Sequence, residues 1–156
     1  MNELVTELRH KFLTILKSVY WENFEEGQCV PEAVVVLLES ADRALDHEDM
    51  PMADWAFIKT YIVSDRTNSL LSGLAKIPLI GRFFQDRLFN NFSLAYDIIV
   101  NFIEGHEHAT HAIRNFIHEQ NFVSQILKES SENVQQAEAY MASEIEEDFP
   151  DISKAI

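Results

Sequence analysis

Apolar side chains at Leu4, Leu8, Phe12, Ile15, Leu16, Val19, Tyr20 and Phe24 recur every three or four residues, and this stripe limits what the chain can fold into more than any other feature. One face of a helix must be buried along its whole length. Gly27 follows, a residue that tolerates the left-handed backbone found just past a helix C-terminus. Pro31 suits a first helical turn and opens a second stripe through Val34, Leu37, Leu38, Ala41 and Leu45. The short connection between them predicts an antiparallel helical hairpin.

The rest of the sequence supports an all-α fold. Hydrophobic residues make up 47% of the 156 positions and only four glycines and four prolines interrupt them, which favours long helices over strands and turns. The length is that of one domain able to bury a core without disulfides or metal. We therefore expect residues 1–156 to form a single compact multi-helix domain of about five to seven helices. The formal charge of −14 opposes binding to nucleic acid. Cys29 is the one cysteine, so it can form no intramolecular disulfide; a reducing compartment and a role as a small apolar plug are expected. The amino terminus does not read as a secretory signal, and no apolar run is long enough to predict a membrane span.

Past the hairpin, His47 to Met52 is a charged, proline-containing break, with Asp54 as N-cap of a helix carrying Trp55, Phe57, Ile58, Tyr61 and Ile62. The break lacks the glycine and ligand spacing of a calcium loop. A cationic island follows, where Arg66, Lys76, Arg82 and Arg87 alternate with many apolar residues; Pro78 and Gly81 predict two short helices there. Its apolar residues fit a domain interior, while the four basic residues are candidates for contact with a transporter or an anionic membrane surface. A further helical stripe runs from Leu94 to Ile103 and on to Ile117, with a break or bend expected at Gly105. Ser130 and Ser131 are expected to cap a last helix carrying Val134, Ala137, Met141 and Ile145.

The segment EGHEHATHAIRNFIHE gathers four of the six histidines. On a helix, Glu104, His108 and His111 share a face, and imidazole with carboxylate at such spacing can bind zinc or iron. A diiron bundle, however, needs a second Glu-x-x-His and carboxylates from other helices, which are missing here. Surface or interhelix contacts are therefore expected of His106, His108 and His111, with no metal and no cofactor. The Walker, dinucleotide-binding and nucleophile-elbow motifs are also absent, and no catalytic residue is expected.

The helix carrying Tyr20 and Trp21, then Phe24 and the Glu26-Gly27 stop, and the run from Leu38 through Asp42 to Asp46 resemble the cytosolic region following the membrane domain of plant salt-overly-sensitive type and sperm-type sodium/proton antiporters. The segment FIEGHEHATHAIRNFI, the run Ala137 to Met141 and the acidic stretch with Phe149 and Pro150 are similar to later helices of that region. The likeness is weakest over residues 50–95. It implies a regulatory domain cut from a larger transporter, lying at the cytoplasmic face of the membrane. In many relatives such a region stands between the exchanger and a cyclic-nucleotide-binding-like domain.

Its implied partners are the membrane domain, other cytosolic domains of the same chain and a second copy in a homodimer. Its implied action is to bias the transporter between autoinhibited and active arrangements through differential packing. Two other readings compete: a metal-binding helical bundle using the His106–His118 cluster, and an independent scaffold that grips a partner helix in an aromatic groove.

Overall fold

The computed structural model describes residues 3–63, 81–116 and 120–145. They form five α-helices: α1 Glu3–Glu25, α2 Pro31–Leu45, α3 Asp54–Val63, α4 Gly81–Phe116 and α5 Gln120–Ala139. A π-helical turn, Tyr140–Glu144, continues α5. No strand occurs among the described residues, as the sparse Gly and Pro predict.

The hairpin forms as the sequence requires. Gly27 has φ +75°, its N–H bonds to Phe24 O, and the Gln28 N–H reaches back to Asn23 O. This pair of bonds ties off the carbonyls at the end of α1 and turns the chain. Pro31 sits at the start of α2. On the outer side, the Lys17 ammonium pairs with Asp42 across the two helices.

Helix α1 is the central element, packed against α2, α4 and α5. Leu8, Phe12, Leu16 and Tyr20 point inward from it, and Leu37, Trp55, Ile58, Ile98, Ile99, Phe102 and Ile126 converge on them from the other helices. Trp55 lies between the rings of Phe102 and Tyr140, 5.5 and 5.7 Å away and tilted against both. Such tilted contacts suit the aromatic quadrupole.

Two expectations about helix ends are corrected. Helix α4 runs unbroken through Gly105. There the glycine makes room rather than a bend: a Cβ would overlap the Tyr20 ring and lie 3.1 Å from Leu16 Cδ1. Ser130 and Ser131 lie inside α5 and cap nothing; Val134 and Ala137 therefore belong to the helix that begins at Gln120. Of the two short helices expected around Pro78, the first lies outside the described residues, and the second is instead the opening of the 36-residue α4, which runs unbroken from Gly81 to Phe116.

Candidate functional site

Helix α4 places Ile98, Ile99, Phe102, Ala109 and Ile113 toward the core, and His106 falls in the same register. A polar ring at such a position must find partners, because an unpaired buried polar group costs about 1–3 kcal/mol. His106 is fully buried, with Nε2 2.8 Å from Asp54 Oδ2 and Nδ1 2.8 Å from Ser130 Oγ. Phe102 and Phe12 flank the ring, at centroid distances of 4.3 and 5.6 Å. Three helices thus meet at one imidazole: α3 through Asp54, α5 through Ser130 and α4 itself.

Asp54 does not act as the expected N-cap. Its carboxylate is turned inward to His106, and the Trp55 N–H at the start of α3 is met instead by Asn133 Oδ1 of α5, at 3.3 Å. The Asn133 amide also donates to Met52 O at 2.9 Å. One asparagine thereby fixes both the break before α3 and the first turn of that helix.

A second buried polar contact reinforces this end of the bundle. Arg9 of α1 grips Glu129 of α5 through Nε and Nη2, at 2.8 and 2.6 Å, and donates from Nη1 to Glu48 O. Glu129 Oε2 also accepts the Met52 N–H at 3.2 Å. Hydrogen bonding to Glu129 holds the Arg9 guanidinium still further toward its charged form, against the opposing effect of burial. A bidentate geometry of this kind is the arrangement in which a buried ion pair recovers its desolvation cost.

Among the described residues, two buried side-chain atoms have no hydrogen-bond partner, Tyr20 Oη and Asp54 Oδ1. Burial first, and then the neighbouring Asp54 and Cys29, push the Tyr20 phenol well above its ordinary pKa. Tyr20 therefore remains neutral beside the carboxylate.

The order Ser130–His106–Asp54 matches a nucleophile, base and orienting acid, but the surroundings do not suit acyl transfer. Ser130 is 2% exposed. It also stands inside a helix, where neighbouring N–H groups are committed to the helical ladder and cannot form an oxyanion site. What the three groups form is a buried hydrogen-bonded chain that joins α3, α4 and α5. Ser130 and one edge of His106 border a cleft of about 430 Å³ together with Thr110, His111 and Arg114.

The histidines that stand close together in the sequence separate in the structure. His106 makes an interhelix contact, whereas His108 and His111 are exposed on the outer face of α4; His118 lies outside the described residues. Among the described residues, no group of three or more His, Cys, Asp or Glu is placed to hold a metal ion.

The anchors from the sequence divide in the same way. Tyr20 is fully buried, but Trp21 is 49% exposed, donates to Glu25 Oε1 at 2.8 Å and packs on Phe24 at the surface. Helical geometry turns this residue, next after Tyr20, toward solvent. Leu38 is half-buried, Asp42 is exposed in its pair with Lys17, and Gly27 terminates α1. Cys29 is buried, its thiol pushed up to about 12 by burial and then by Asp97, which fits an apolar plug. Arg82 and Arg87 are exposed on the first turns of α4. Arg66, Lys76, Phe149 and Pro150 lie outside the described residues.

Sequence reasoning missed the interior polar residues Arg9, Asn23, Asp54 as a core acid, Asn101, Glu129 and Asn133. Asn23 and Asn101 hydrogen-bond at 3.1 Å, and Asn101 donates to Gln28 O, while Asp97 accepts the Val30 N–H at 3.0 Å. Helix α4 thus holds the hairpin turn from below.

No family model matches the chain. It is 25% identical over 151 residues to sodium/hydrogen exchanger 7 of Arabidopsis thaliana, which covers 96% of this chain and 13% of that protein. It is 23% identical over 150 residues to sodium/hydrogen exchanger 8 of the same plant, covering 95% of this chain and 19% of that one. The chain therefore spans less than a fifth of either exchanger. The similarity is consistent with a segment of an exchanger-type protein. None of the described helices is long and apolar enough to cross a membrane.

Proposed function

We propose that the chain is a non-catalytic regulatory and dimerisation segment of a sodium/hydrogen-exchanger-type transporter, positioned at the cytoplasmic face of the membrane. The observation that carries this reading is the match itself, which extends over 96% of this chain yet only 13% of exchanger 7. A closed helical bundle without a spanning helix among its described residues is suited to transmitting position and packing changes rather than ions. Its partners are the membrane domain of the same protein and a second copy, with the exposed Arg82 and Arg87 offered to transporter loops or anionic headgroups.

The test is a replacement in exchanger 7. The matching segment is deleted, or exchanged for this chain, and sodium-driven proton movement is followed in membrane vesicles. Deletion should change the activity and its regulation, and the exchange should restore both. Equal transport by intact, deleted and exchanged proteins overturns the regulatory reading. Sedimentation equilibrium of the isolated chain tests dimerisation: a self-associating species supports it, and a monomer at all concentrations removes it from the proposal.

A further inference from the structure

His106 has no exposed surface, yet each of its ring nitrogens is 2.8 Å from an oxygen. Asp54 Oδ2 accepts from Nε2, which fixes the tautomer of the neutral ring and leaves Nδ1 as an acceptor for the Ser130 hydroxyl. If the ring takes up a proton, Nδ1 becomes a donor. The Ser130 oxygen can accept that bond while its own hydrogen turns to a carbonyl one helical turn back, a bond that serine commonly makes within helices. Both charge states of the imidazole are therefore accommodated with no heavy atom moving.

The two states differ in what they leave buried. With neutral His106, the Asp54 carboxylate is an uncompensated charge carrying one orphan oxygen, Oδ1, in a site with no exposed side-chain surface on either partner. With cationic His106, the pair has zero net charge. A buried single charge is far more costly than a buried hydrogen-bonded pair. We infer that His106 and Asp54 form an internal proton-binding site whose occupancy sets how firmly α3 is held against α4 and α5.

The surroundings leave this pair isolated. From α1, the Tyr20 phenol stays neutral and Phe12 is apolar. Arg9 of α1 and Glu129 of α5 neutralise one another. Ser130 completes the α5 side. In the hairpin turn, the buried thiol of Cys29 acts on Tyr20. On α4 itself, Glu107, His111 and Arg114 line the cleft that borders Ser130. Helix α3 is the element released when the pair is unprotonated, since Asp54 is its first residue. This inference is independent of the transporter role, because the isolated chain suffices to test it.

The experiment is hydrogen exchange of the α3 amides, corrected for intrinsic rates, from about pH 5 to about pH 9, in the wild type, His106→Gln and Asp54→Asn. In the wild type, protection of α3 relative to α1 should increase about tenfold on acidification, and in both variants this increase should disappear. Should His106→Gln fail to fold, carbon-13 histidine spectra of the wild type and of Asp54→Asn provide a second readout. The His106 ring must then change charge within this range, and the Asp54→Asn ring must lose its proton at a lower pH. A His106 that keeps one charge state throughout overturns the inference. So does an α3 whose protection follows pH equally in all three proteins.

Discussion

Replacing Gly105 by alanine separates two effects of opposite sign. Ala at a mid-helix position gains about 1 kcal/mol over Gly from helix propensity, so an open site would be stabilised. Gly105 is not open, because the new Cβ would overlap the edge of the Tyr20 ring at Cε1 and lie 3.1 Å from Leu16 Cδ1. Tyr20 and Leu16 are both 0% exposed, so neither side chain can swing into solvent. Overpacking of a closed core costs about 1–3 kcal/mol, and a contact this close to ring carbons belongs in the upper part of that range. The net expectation is a loss of about 1–2 kcal/mol, read as a urea midpoint lower by about 0.5–1 M with the slope unchanged.

The same change in a Tyr20→Leu background, where the ring is gone, should be neutral or stabilising by up to about 1 kcal/mol. The coupling energy between the two sites would then be about 1–3 kcal/mol. Urea unfolding followed by circular dichroism of the four proteins completes the cycle. A Gly105→Ala protein more stable than the wild type would refute the close-approach argument.

Other perturbations follow from the buried polar contacts. Glu129→Gln leaves the Arg9 guanidinium buried beside a neutral amide and should cost about 3–5 kcal/mol in chemical unfolding, whereas Arg9→Leu with Glu129→Leu should recover most of that loss. Asn133→Ala removes the acceptor for the Trp55 N–H and the donor to Met52 O, so α3 should lose about 1–2 kcal/mol of protection in hydrogen exchange. Cys29, with its thiol near 12, should react with iodoacetamide roughly a thousandfold more slowly than free cysteine at neutral pH. Cys29 and Tyr20 are both raised in the folded state, so unfolding releases protons that folding retains. The contribution of these two groups should therefore be fully present below about pH 9 and be lost as pH rises toward 12; urea midpoints that increase over that window would reverse the sign.

The hairpin was legible in the sequence because its signals are local. An apolar stripe, a glycine that must adopt positive φ and a proline at a first turn each act within a few residues, and the structure puts all three where they point. Gly105 and Ser130 were misread for the complementary reason. Glycine within a helix and serine before an apolar run have two meanings, and tertiary contact selects between them: Tyr20 needs the space at Gly105, and His106 needs the hydroxyl of Ser130. Those partners are 85 and 24 residues away along the chain, beyond the reach of any local pattern.

The candidate site carried one signal that could have been read. His106 falls in step with Ile99, Phe102, Ala109 and Ile113, so helical periodicity alone sends it inward, away from His108 and His111 on the outer face. Grouping histidines by proximity in sequence obscured that register. An inward histidine demands an acceptor, and the acids closest in sequence, Glu104 and Glu107, lie on exposed or outward positions of the same helix. The partner had to come from another helix, and no feature of the sequence marked Asp54 over the other acids. Asp54 sits at the head of α3, where the usual use of an acid is capping, but its carboxylate turns to His106 while Asn133 of α5 accepts the Trp55 N–H. The buried charge thus depends on a substitution of roles among three helices, and replacing Asn133 should disturb His106 as well as the start of α3.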